Sequence, residues 1–194
     1  MKDIDPNGID LYGAIDIPGL QAFNEEQDDS TKFVIRPKED MLEESKGVLR
    51  SDDDHELVIK IPFTTKVKIK AITIIGGENG SAPKTLKLYT DLNNVDFSIL
   101  EENEPSQTLD LIEDNLDGAV EYPIKLTKFQ NVGTLTLGID ENYGEEQTEI
   151  RYIGLKGENL NISTQQKAVV TVYESRANLA DHKNPMQDEV AKQI

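Results

Sequence analysis

Leu57-Val58-Ile59-Lys60-Ile61-Pro62-Phe63-Thr64-Thr65-Lys66-Val67-Lys68-Ile69-Lys70-Ala71-Ile72-Thr73-Ile74-Ile75 is the stretch that decides the fold class. In its first part Leu57, Ile59, Ile61 and Phe63 alternate with Glu56, Val58, Lys60 and Pro62. In its second part Lys66, Lys68 and Lys70 fall on one face, and Val67, Ile69 and Ala71 on the other. A side-chain period of two belongs to β-strands with one face in the core and one in water. Thr64-Thr65 separates the two parts. The spacing therefore predicts two strands joined by a tight hairpin, although the turn lacks the usual glycine.

Downstream, Gly76-Gly77-Glu78-Asn79-Gly80-Ser81-Ala82-Pro83 reads as a loop, because glycine supplies positive φ and proline interrupts backbone donors. Further strands are expected at residues 85–90, 107–111, 120–126, 135–139, 149–155 and 168–173. Turn signals separate them at Asp117-Gly118, Asn131-Val132-Gly133, Asn142-Tyr143-Gly144 and Gly157-Glu158-Asn159. Residues 91–105 form a long irregular connection that Phe97, Ile99 and Leu100 hold to the body. Upstream, Asp16-Ile17-Pro18 opens a short helix, with Leu20 and Phe23 on one face. Residues 25–30 read as a solvated loop. Many short strands with regular punctuation imply an all-β sandwich or barrel. The segment from Glu174 onward is polar.

Composition narrows the function. The chain has 194 residues, enough for one domain with a sizeable core, and no cysteine. That removes disulfides, cysteine–zinc sites, thiol nucleophiles and redox pairs. A formal net charge of -17 opposes binding to phosphate backbones and anionic bilayers, so neither nucleic acid nor membrane is an expected partner. Residues 1–11 lack a basic start followed by an apolar run, and no apolar stretch is long enough to cross a bilayer. The expected location is the cytoplasm or the nucleus, and the expected state a monomer.

Catalytic motifs are missing. The histidines are His55 and His182, neither in a nucleophile motif, and there is no Gly-x-Ser-x-Gly. The glycine-rich stretch 76–80 lacks the Lys-Ser/Thr ending of a phosphate loop. Ser51-Asp52-Asp53-Asp54-His55-Glu56 offers hard oxygen ligands but not the spacing of a calcium loop; adjacent aspartates at a strand entry more commonly bond the local backbone. No catalytic residue, metal or cofactor is assigned. With no tryptophan, a sugar-binding face has little support, although no two of the 37 acidic residues stand out as a hydrolytic pair either.

Several of these words, in order, resemble one family. Ser51-Asp52-Asp53-Asp54-His55-Glu56-Leu57 with Ile61-Pro62-Phe63, Asn79-Gly80-Ser81-Ala82-Pro83-Lys84 with Leu88-Tyr89, Lys128-Phe129-Gln130-Asn131-Val132, Asn142-Tyr143-Gly144-Glu145-Glu146 and Tyr152-Ile153-Gly154-Leu155-Lys156-Gly157 are similar to the PITH domain family, named for a proteasome-interacting thioredoxin domain. Tyr173-Glu174-Ser175-Arg176-Ala177-Asn178 and Ala180-Asp181-His182-Lys183 resemble the end of its stand-alone members. The resemblance implies a jelly-roll β-sandwich of the galactose-binding-domain type, spanning residues 16–183 between an N-terminal extension, 1–15, and a flexible tail, 184–194. It also implies association with the regulatory particle of the proteasome as a non-enzymatic adaptor or regulator. No thioredoxin activity carries over, since there is no Cys-x-x-Cys. The alternative is a module that binds a sugar or a small metabolite, which fold analogy alone supports.

Two surfaces are candidates for partner binding. One comprises Tyr173, Glu174, Asn178, Asp181, His182 and Lys183. The competing expectation is that Tyr173 packs on the sandwich, Glu174 and Arg176 pair locally, and the segment merely seals an edge. The other comprises Asp52, Asp53, Asp54 and His55, with Glu78 and Asn79 nearby. Acidic loops at one end of a sandwich meet basic partners and speed their association.

Overall fold

A computed structural model of the chain describes residues 5–164. Its strands are β1 (Ile9–Asp10), β2 (Gln21–Phe23), β3 (Leu49–Arg50), β4 (Leu57–Gly76), β5 (Pro83–Thr90), β6 (Gln107–Asp110), β7 (Tyr122–Pro123), β8 (Val132–Asn142) and β9 (Glu149–Ser163). Two short helices, α1 (Thr31–Val34) and α2 (Phe97–Glu102), lie in the connections. All the strand pairs are antiparallel.

The deciding stretch is not a hairpin. β4 runs through Thr64-Thr65 as one strand of 20 residues. Residues 57–62 lie between β2 and β8, whereas residues 67–76 pair with β9 and, at Ala71 and Ile72, with β7. The ladder to β8 loses register between Pro62 and Val67, where the strand changes partners. Pro62 has no N–H to donate, so it suits the point at which one ladder gives way to another. A two-residue hairpin turn needs positive φ, which β-branched threonine resists. Both threonines are instead held extended: Thr64 Oγ1 donates to Ala14 O at 3.1 Å and Thr65 Oγ1 to Asn159 Oδ1 at 2.9 Å.

β4 therefore belongs to two layers. One contains β2, the first half of β4, β8, β5 and β6; the other contains β7, the second half of β4, and β9, with β1 and β3 along β9. Their facing side chains form one core, in which Leu57, Ile59, Ile61, Leu86, Leu88, Leu135 and Leu137 meet Ile69, Ile150, Ile153, Leu155 and the fully enclosed Phe129. Alternation along each strand supplies one apolar face per layer, and their burial is the main stabilising term.

Other expectations changed in detail. Gly157-Glu158-Asn159 is no turn but the middle of β9, where Gly157 lies against both β1 and β4. A Cβ on Gly157 would come within 1.9 Å of Lys68 O, so this glycine permits close strand approach. The expected strand at 120–126 shortens to β7, and Val132 and Gly133 belong to β8 rather than to a turn. Asp16 precedes a single 3-10 turn, Ile17–Gly19, but Phe23 lies on β2 and not on that turn. Within the 1–15 segment, β1 pairs with β9, and Leu11, Ala14 and Ile15 are buried. Lys156 ties that segment down through Asp5, at 2.5 Å, and also bonds Glu121. The expected strand at 168–173 lies outside the described residues.

Candidate functional site

At one edge of the sandwich a cleft of about 760 Å³ opens between four chain segments. Met41, Leu42 and Val48 come from the excursion between α1 and β3. Ile75 and Glu78 come from the end of β4 and the turn after it, Leu116 and Asp117 from the loop before β7, and Glu149 and Arg151 from the start of β9. Arg36, Gly47 and Arg50 complete the lining.

The charged groups are tightly ordered. Glu149 is almost enclosed, with 10% of its side chain exposed, and it accepts from two arginines. Arg50 Nε and Nη2 donate to its Oε2 at 2.9 and 2.7 Å, and Arg151 Nε donates to its Oε1 at 2.9 Å. Burial pushes the Glu149 carboxyl up, but the bonds from Arg151 and Arg50 outweigh it and hold the group below the ordinary glutamate range. Arg151 Nη1 also approaches Glu78 Oε1 at 3.4 Å. Among the described residues, Arg50 Nη1 and Arg151 Nη2 have no acceptor, so each guanidinium is fixed on one edge and open on another.

Arg36 has a different task. It is buried over the Tyr152 ring, 5.6 Å from its centre, and donates to three carbonyls, those of Phe33, Asp40 and Met41. It thereby shapes the Met41–Leu42 wall. The opposite segment is equally fixed. Buried Asn115 donates to Ile74 O and Val120 O and accepts from Val120 N. Gly118, at φ 66°, leaves the space that Met41 occupies; a Cβ there would lie 2.6 Å from its sulfur. Leu42 and Leu116 are nevertheless 59% and 38% exposed.

The acidic loop lies beside this cleft. Asp52, Asp53 and Asp54 are exposed and His55 is half-exposed. Asn24, at φ 65°, organises the loop: its carbonyl accepts from Asp52 N, its Oδ1 from Asp53 N, and its Nδ2 donates to Asp54 Oδ1 and Glu56 O. Asp54 Oδ1 also accepts from Glu56 N, the backbone role expected of such an aspartate. Thr148 Oγ1 donates to His55 O at 2.7 Å, and Gln147 Nε2 to Asp52 O at 3.0 Å. Gln147 in turn lines a second hollow with Glu78, Asn79, Arg50 and Arg151. The expected grouping of the 52–55 loop with Glu78 and Asn79 thus runs through Gln147, and the arginines are its unforeseen members. Tyr173, Glu174, Asn178, Asp181, His182 and Lys183 lie outside the described residues.

Residues 2–177 match the family model described as PITH domain. The chain belongs to the PITH domain family. It is 40% identical over 186 residues to PITH domain-containing protein ZK353.9 of Caenorhabditis elegans, covering 94% of this chain and 86% of that one. It is 39% identical over 173 residues to human PITH domain-containing protein 1, covering 89% and 80%. Neither the family nor these PITH relatives are named for a catalytic activity. Among solved structures, the PITH fold is similar to two from Clostridium perfringens. One is the family 32 CBM of NanJ in complex with galactose, with TM-score 0.51, 12% identity and coverage of 74% of this chain and 97% of that one. The other is the CBM32-1 and CBM32-2 pair of ZmpB in complex with GalNAc, with TM-score 0.56, 10% identity and coverage of 76% and 35%. At these identities the likeness concerns the fold: the PITH sandwich is a jelly roll of the galactose-binding type.

Proposed function

We propose that this PITH protein is a non-enzymatic docking module that binds the regulatory particle of the proteasome as an adaptor or regulator. The observation that carries the docking part is the composition of the cleft. It sets solvent-exposed leucines beside fixed arginines on a rigid frame, the mixture found at the centres of protein interfaces. A contact surface that is already ordered loses little entropy on binding. The adjacent 52–55 loop adds an exposed acidic rim that speeds encounter with a basic partner surface. The proteasome as partner rests on the family and its name. The reading as a non-enzyme rests on the absence of cysteine and of any nucleophile motif from the sequence. Such a role places the protein, as a monomer, in the cytoplasm or nucleus. The sugar-binding alternative gains nothing from the cleft, whose lining contains no aromatic side chain.

Crosslinking mass spectrometry on complexes captured from cells with the tagged full chain tests this reading. Enrichment of regulatory-particle subunits, with crosslinks from lysines near the cleft such as Lys38 or Lys46, is the expected result. Capture without any proteasome subunit, together with saturable binding on a glycan array, would overturn it in favour of the sugar alternative.

A further inference from the structure

We infer that the cleft receives an extended peptide segment in which an acidic side chain neighbours a large apolar one. This rests on the docking reading above, though not on the proteasome being the partner. The first support is the distribution of arginine. The sequence holds four, at positions 36, 50, 151 and 176, among 20 basic residues. The three within residues 5–164 all line this one cleft. Several lysines elsewhere pair with a surface carboxylate, as Lys66 does with Asp91, Lys70 with Glu158 and Lys87 with Asp140, while the largely buried Lys156 meets two. Glu78, Asp117 and Glu149 line the same space, so the cleft is balanced in formal charge, and what it offers an acid is the open edges of its arginines rather than a net positive field.

The second support is geometry. Glu149 uses Nε of both arginines and Nη2 of Arg50, which fixes the two guanidinium planes. Arg50 Nη1 and Arg151 Nη2 then remain for an incoming acid. Arginine presents planar donors that match a carboxylate, and the protein has already met the cost of ordering them. The third support is the apolar wall. Met41, Leu42, Val48, Ile75 and Leu116 line the same space, and the exposed pair Leu42 and Leu116 needs an apolar neighbour to leave water. A free inorganic anion would use the arginines and leave this wall wet. An acidic–apolar peptide uses both.

The test is selection of a random peptide display library on the immobilised full chain, followed by fluorescence-anisotropy titration of the selected peptide. The expected consensus places Asp or Glu next to Leu, Ile, Met or Phe. Affinity should fall about tenfold in Arg50→Gln, in Arg151→Gln and in Leu42→Ser, the loss typical of a removed charge-assisted bond or apolar anchor. It should stay unchanged in Glu104→Gln, an exposed position that lines no part of the cleft. Thermal unfolding confirms that each variant is folded; Leu116→Ser, on the other segment, stands in for any that is not. A basic consensus, no consensus, or an affinity indifferent to these substitutions overturns the inference. So does a dimer in solution that Leu42→Ser dissociates, since it would assign the cleft to a second copy. Capture of the regulatory particle is scored separately. If the wild type and Leu42→Ser/Arg151→Gln capture it equally and no selected peptide depends on the cleft, the cleft inference falls while association with the particle stands. If the peptide depends on the cleft but no particle is captured, the proteasome falls as partner and the cleft inference stands.

Discussion

Glu149 shows how one buried charge organises a surface. Its carboxylate is withdrawn from water, a cost that its two arginines offset with three hydrogen bonds. Glu149→Ala removes the acceptor and leaves two cations facing each other. Urea denaturation should report a loss of about 1–3 kcal/mol, the range for breaking a partly buried charged pair. The pH dependence follows from the depressed carboxyl. The unfolded chain binds the proton more readily, near 4.5, so the stabilisation is fully present above that pH and is lost as pH falls through the lower folded value. Wild type and Glu149→Gln should therefore differ most at neutral pH and converge in acid; a gap that widens in acid would contradict the assignment. None of this was legible in the sequence. Arg50, Glu149 and Arg151 sit on two different strands, and no local spacing announces that a glutamate will accept from both arginines. The role of Asp54 was legible, because a backbone-bonding aspartate acts within two residues of itself.

At the scale of elements, strand identity was readable and strand connection was not. Period two marks the core face correctly from Leu57 to Ile69, on both sides of Thr64-Thr65; a register shift between Ile69 and Ala71 then passes the core face to Ile72 and Ile74, so Ala71 does not belong to it. The pattern is blind to whether the chain turns back or continues, since both preserve the alternation. The absence of glycine at the supposed turn was the signal that it continues. Gly157 misled for the opposite reason: it serves a close approach of strands, whereas glycine near asparagine ordinarily marks a turn. Substituting the favoured turn pair, Thr64→Asn with Thr65→Gly, separates the two topologies. A hairpin would gain from it. A continuous strand should lose about 1–2 kcal/mol by thermal or chemical unfolding, because asparagine and glycine are poor strand formers and both threonine hydroxyl bonds disappear.

For the whole molecule, the all-β class follows from alternation and punctuation, and residues 9–15 show what such reasoning overlooks. They are short, polar in places and without a period, yet β1 covers β9 and Leu11, Ala14 and Ile15 enter the core. A chain truncated at residue 16 should lose on the order of 3–6 kcal/mol from Leu11 and Ile15 alone. That is comparable to the whole stability of a small domain. Calorimetry of the truncated form should show no cooperative transition, or one at a much lower temperature; an unchanged transition would make these residues a dispensable extension.

The strand that both layers share also bears on how the protein is made. β4 leaves the ribosome early, but its partners β8 and β9 begin only at Val132 and Glu149. Until they emerge, the nascent chain exposes a long run of β-branched residues whose edges are unpaired except where β2 covers Val58–Lys60, a hazard for aggregation. Lys60, Lys66, Lys68 and Lys70 interrupt that run. Charges so placed are the kind that keep an unpaired hydrophobic strand from associating, and in the closed sandwich three of them pair with Asp91 and Glu158.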